Sequence, residues 1–230
     1  MIEILSLLLI FGIVVEGFIR FPSIPRITHS TSVIYMSSRT ELTEFLNTNY
    51  PNNQVNNAII SITQASIEIS ASIASAPING LTGTAGTENT SGDKVKKLDV
   101  ISNEILIKKL SHINNNISII ISEEEETPII LNTILTNNGL IVAFDPLDGS
   151  SNLDCAVATG TIFGIYKQPD SSPNDILTIE SATKQALQCG AQLLAGGYIM
   201  YSSSIELMLT LGQGTGNTHP INHSNLSDLN

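Results

Sequence analysis

At 230 residues and 42% hydrophobic, the chain is long enough to bury a sizeable core as one or two domains. Its 21 acidic against 10 basic residues leave a formal net charge of −11, which argues against a nucleic-acid backbone or an anionic membrane surface as partner. Two cysteines, Cys155 and Cys189, are too few for a disulfide framework or a metal knuckle and fit reduced, half-buried thiols.

Residues 1–38 read as an unassigned apolar N-terminal extension. Within them "ILSLLLIFGIVV" (Ile4–Val15) is an apolar run of 12, short for a bilayer span and close to a signal-peptide core. No basic stretch precedes it and no small-x-small cleavage site follows, so two readings stay open. One is a cytoplasmic chain with a stray or buried N-terminal segment; the other is a secretory or organellar chain with a targeting segment.

"RTELTEFLNTNY" predicts a helix with Thr40 as N-cap and Glu41 and Glu44 near its positive end. From Val55 to Ala76, apolar residues at 55, 58, 59, 62, 65, 69, 73 and 76 mark one face of a long helix. "PINGLTGTAGTENTSGDK" then breaks the periodicity with four glycines and predicts a mobile loop whose length suggests a function. Helical spacing resumes from Lys94 to Leu110, carrying five of the ten basic residues.

"ISIIIS" (117–122) and "LIVAF" (140–144) are β-branched apolar runs that predict buried strands. "GTIFGIY", "GGYIMYSS" and "IELMLTLG" predict three more. Helices first and strands after predict an α/β (α+β layered) fold. Residues 213–230 read as a polar tail, with His219 and His223 as surface histidines.

Both acidic stretches, "SEEEE" (Ser122–Glu126) and "DPLD" (Asp145–Asp148), follow strands, and strand ends are where layered α/β folds bind ligands. Brought together, Glu123, Glu124, Asp145 and Asp148 would repel unless a cation held them, and hard oxygen donors select Mg²⁺ or Mn²⁺. Read separately, they are solvated turns. "GSSN" after Asp148 adds backbone N–H groups and hydroxyls that can cradle a phosphate. No Walker loop, G-x-G-x-x-G, G-x-S-x-G or H-E-x-x-H pattern is present.

"FDPLDGSSNLDC", "ATGTIFGIY", "SEEEE" and "SGDKVKKLDVISNEIL" together resemble fructose-1,6-bisphosphatase of class 1 type. That family sits in the wider superfamily of lithium-sensitive, metal-dependent sugar and inositol phosphatases. The resemblance covers about residues 39–212 and implies the N-terminal part of a fold of alternating helix and sheet layers. It implies metal binding by Asp93, Glu123, Asp145, the Leu147 carbonyl and Asp148. It also implies water activation by Glu124 and Asp99, and a hold on the 1-phosphate by Asp148, Gly149, Ser150 and Ser151. The implied activity is Mg²⁺-dependent hydrolysis of fructose 1,6-bisphosphate, as in gluconeogenesis or carbon fixation, in a homo-oligomer that is a tetramer in the family.

The family pattern also extends past Gly212 to a further glutamate ligand and a 6-phosphate grip that have no match here, which leaves as an alternative a truncated, catalytically weak or inactive homologue acting only as a metal- or partner-binding fragment. A further alternative is inositol-phosphate or sedoheptulose-bisphosphatase activity. Glu41, Leu42 and Thr43 match an AMP-binding helix, but Thr40, Gly139 and Leu140 depart from that pattern and speak against AMP inhibition.

Overall fold

A computed structural model describes residues 41–79, 84–88, 94–112, 117–132, 139–155, 157–169, 176–212 and 218–225. The apolar run at Ile4–Val15 and Thr40 lie outside them. Helix α1 (Leu42–Asn49) starts one residue later than the spacing predicts, with Glu41 in the N-cap place and making no side-chain cap bond. Pro51 follows its end, as expected of a residue that disfavours helix before it.

Helix α2 (Asn53–Asn79) buries Val55, Ala58, Ile59, Ile62, Ala65, Ile69 and Ala76, the predicted face with Ile73 half-buried. Two of its buried polar side chains are answered within the helix, Thr63 Oγ1 donating to Ile59 O at 2.9 Å and Ser66 Oγ to Thr63 O at 2.7 Å, while buried Asn56 donates Nδ2 to Tyr50 O at 2.7 Å. By length and composition α2 could cross a membrane, yet its apolar stripe is packed into the protein core and Glu68 pairs with Lys109 at 2.5 Å.

The predicted mobile loop instead contains a two-stranded sheet, β1 (Thr84–Glu88) paired antiparallel with β2 (Lys94–Lys96). The expected helix from Lys94 therefore begins at Lys97, as α3 (Lys97–Ser111). Its buried edge is Leu98, Asp99, Ser102, Asn103, Leu106 and Leu110, with Ile101 and Ile105 only half-buried. The helix is thus turned so that two polar side chains, Asp99 and Asn103, four residues apart, point inward together.

Among the described residues, the main sheet has seven strands in the order β4-β3-β5-β6-β7-β8-β9. These are β3 (Ile117–Ser122), β4 (Ile129–Ile130), β5 (Leu140–Asp148), β6 (Thr159–Lys167), β7 (Leu193–Tyr201), β8 (Ile205–Gly212) and β9 (Thr218–Asn225). Only β3 and β5 are parallel; the remaining pairs are antiparallel. β9 arises from the segment expected to be a polar tail, and by pairing with β8 it forms one edge of the sheet.

Helices α2 and α3 cover one face, where Leu140, Val142, Phe144, Phe163, Ile165 and Ile199 meet the helix stripes. On the other face α4 (Ile179–Ala186) packs over a smaller cluster of Ile119, Ile141, Tyr166, Leu177 and Ala182. α4 is opened by a reciprocal cap, Ser181 N donating to Thr178 Oγ1 at 3.2 Å and Thr178 N to Ser181 Oγ at 2.8 Å. The fold is therefore a mixed sheet between helical layers, as the element order predicts. Cys189 is a free, exposed thiol rather than a half-buried one.

Strands β6, β7 and β8 pass closely at Gly197, where an added Cβ would strike the Met208 carbonyl oxygen and come within 3.1 Å of Phe163 Cζ. Gly197→Ala is expected to destabilise the protein by about 2 kcal/mol or more, read as a lower midpoint in urea unfolding. An unchanged midpoint would mean that β7 and β8 do not sit this close.

Candidate active site

The site begins where β3 ends. Ser122 lies opposite Phe144 of β5, and one residue further Glu123 N donates to Phe144 O at 3.1 Å, so pairing carries Glu123 alongside Asp145. The chain then turns: Glu125 N donates to Ser122 O at 3.3 Å and Glu124 N to Ser122 Oγ at 3.3 Å. Asn103 of α3 ties this turn down, accepting from Ser122 Oγ at 2.7 Å and donating Nδ2 to Glu125 Oε1 at 2.8 Å. A helix side chain thereby fixes the acidic turn that carries Glu123 and Glu124.

The second part is the end of β5, which runs on as strand through the acidic turn predicted to end it. Asp145 is only 6% exposed, and its Oδ1 accepts from Leu147 N at 3.0 Å, while the Leu147 side chain is in the core. A register shift between Asp145 and Asp148 marks a bulge against β6. Gly149 has φ 78, the left-handed backbone that glycine adopts most freely, and turns the chain into a 3-10 segment, Ser150–Cys155. Ser150 Oγ donates to Asp99 Oδ2 at 3.2 Å, joining this turn to α3.

The structure therefore brings Asp99, Glu123, Glu124, Asp145, Asp148 and Ser150 to one junction of α3, β3 and β5. Their charges register on one another. Burial, then the Glu123 and Asp148 charges, push the Asp145 carboxyl up to about 9, against the opposing hydrogen bond from Leu147 N. Burial, with Asp99, Glu123 and Glu125 behind it, raises Glu124 to about 7. Burial also raises Asp148, opposed by a hydrogen bond from the Gly149 backbone.

Asp93, also predicted as a ligand, lies outside the described residues, and Ser151 is exposed. Among the described residues, no three carboxylate, imidazole or thiol side chains close into a finished metal cluster. The donor set is nonetheless all hard oxygen, concentrated where like charges raise one another's pKa, and that chemistry fits a hard divalent cation rather than zinc.

Sequence reasoning missed Asn103 and Ser122, which hold the acidic turn. The signal available was the four-residue step from Asp99 to Asn103, which puts both on one helix face.

A family model described as "Fructose-1-6-bisphosphatase, N-terminal domain" matches residues 38–221. The chloroplastic fructose-1,6-bisphosphatase of Triticum aestivum is 43% identical over 167 residues, covering 70% of this chain and 40% of that protein. Fructose-1,6-bisphosphatase 1, chloroplastic, of Arabidopsis thaliana is 44% identical over 162 residues, covering 67% of this chain and 38% of that protein. The chain thus spans about 40% of the length of the curated relatives it matches. The crystal structure of Leishmania major fructose-1,6-bisphosphatase in holo form superposes with a TM-score of 0.68 at 28% identity, over 81% of this chain and 59% of that one.

The raised carboxyls set a pH dependence of stability. The unfolded chain loses these protons near pH 4, whereas the cation-free folded chain keeps Asp145 protonated to about 9 and Glu124 to about 7. Folded protein therefore holds more protons than unfolded protein between those limits, and stability falls as pH rises through them. In chelator, the melting temperature is expected to be roughly 4–8 °C lower at pH 8 than at pH 5, from about 2 kcal/mol lost. Added Mg²⁺ should erase most of the difference, and a chelated melting temperature that is flat or rises with pH would contradict the assigned burial.

Proposed function

The chain belongs to the fructose-1,6-bisphosphatase family, and from that premise we propose that it is a phosphoric monoester hydrolase that releases the 1-phosphate of fructose 1,6-bisphosphate with Mg²⁺, Mn²⁺ serving as a substitute. The observation that carries the reading is the junction at which Asp145 is buried against Glu123 while Glu124, one residue on, titrates near neutrality.

Glu123, Asp145, Asp148 and the Leu147 carbonyl, with Asp93, would hold the cation. When bound, such a cation acidifies water and offsets charge on the leaving oxygen. Glu124, raised to about 7, can accept a proton from water at neutral pH, and its closeness to Asp99 disfavours a second charge there. Ser150 is oriented by Asp99, and beyond the turn at Gly149 the half-buried Asp148–Ser150 stretch and exposed Ser151 would meet a phosphate group.

The chloroplast address in the names of the plant relatives supports the organellar alternative over the cytoplasmic one. Assembly as a homo-oligomer, a tetramer as in the family, is part of the same proposal.

The test is phosphate release from fructose 1,6-bisphosphate, with inositol monophosphate as the competing substrate. Release should require Mg²⁺, be suppressed by Li⁺ and fall about a hundredfold or more in Glu124→Gln, the loss expected of a proton acceptor. A Glu124→Gln rate equal to wild type, or a preference for inositol monophosphate, would overturn the assignment.

A further inference from the structure

The bulge between Asp145 and Asp148 is held by a buried chain of hydroxyls outside the acidic cluster. Asp145 faces Ile162 of β6 and Asp148 faces Gly160, so β5 takes three steps where β6 takes two. Pro146, in the middle, has no N–H to give the ladder, which leaves its carbonyl as the group that can anchor the distorted stretch. Thr161 Oγ1 donates to Pro146 O at 2.8 Å. That uses the single hydroxyl proton of Thr161, so Tyr201 Oη, 2.6 Å away, is the donor to Thr161 Oγ1.

Both residues are sealed from solvent, Thr161 at 1% and Tyr201 at 5% exposed. Tyr201 faces Thr159 across the β6–β7 ladder, so it reaches Thr161 diagonally and links three adjacent strands. Burial pushes the Tyr201 phenol up, which keeps it a proton donor at every working pH.

We propose that Thr161 and Tyr201 are positioning residues that set the direction of the Asp145–Asp148 bulge and hence the convergence of its carboxylates and the Leu147 carbonyl on a divalent cation. The cation part of this inference rests on the reading of the site given above. Threading a hydroxyl from a neighbouring strand to the carbonyl between two ligands is the kind of outer support that fixes first-contact donors. A filler role, in which the hydroxyls merely satisfy each other in the core, would affect stability and leave the donors unmoved.

The two are separated with Thr161→Val, Thr161→Ser and Tyr201→Phe in the 230-residue chain. One readout is Mn²⁺ affinity by electron paramagnetic resonance; the other is hydrogen exchange of the Leu147 amide in chelator, which reports the bond to Asp145 Oδ1 without any metal. Thr161→Val should weaken Mn²⁺ binding about tenfold or more and speed Leu147 exchange by a similar factor relative to Ile165, with Tyr201→Phe intermediate. Thr161→Ser, which keeps the hydroxyl, should restore both to within about threefold of wild type.

A folded Thr161→Val protein with wild-type Mn²⁺ affinity and wild-type Leu147 exchange would overturn the proposal. If Thr161→Val does not fold, Tyr201→Phe decides on the same two readouts. Wild-type protein that binds no Mn²⁺ would defeat the cation reading instead, and the exchange of Leu147 would still decide whether Thr161 and Tyr201 hold the bulge.

Discussion

Burying Asp145 beside Glu123 is the constraint around which the rest of the site is organised. At 6% exposure, with a second acid against it and a third three residues on, Asp145 is costly to ionise without a cation, and the lift of its carboxyl to about 9 expresses that cost. A protein keeps such an arrangement only if surrounding structure enforces it. Here the enforcement is a parallel strand pair. β3 and β5 run side by side in one direction, so both deliver acid at the same end of the sheet.

Each acidic segment is then restrained by a neutral side chain from a neighbouring element. Asn103 of α3 bridges Ser122 and Glu125 on the β3 side, and Thr161 of β6 grips the Pro146 carbonyl on the β5 side. Ser150 and Asp99 close the gap between them. Asn103, Thr161 and Ser150 themselves add no charge. They hold a charged site open at the junction of helix and sheet, where repulsion alone would splay it.

Much of the frame was legible in the sequence because it depends on local periodicity. The eight apolar positions of α2 and the β-branched runs of β3, β5 and β6 are signals within single segments. The D-P-L-D-G-S stretch announced both a turn and a cluster of oxygen donors. The β1–β2 pair was not legible, since glycine and threonine there signal loop. Nor was β9, whose "THPINHSN" lacks an apolar face and carries a proline. The roles of Asn103, Thr161 and Tyr201 depend on partners 15 to 40 residues away; the Asp99–Asn103 step puts Asn103 on the Asp99 face, but no single-segment pattern encodes which partners the three residues bond.

On the proposed cation reading, the cost of ionising Asp145 at this junction is met by a divalent cation, so cation binding must carry a proton balance. Calorimetric titration of Mg²⁺ into the protein at pH 7, repeated in buffers of different ionisation enthalpy, counts protons released per ion. The cation reading predicts release of about one proton per ion, because the carboxyls held protonated by burial must ionise to bind. Binding of Mg²⁺ with no proton released would contradict it.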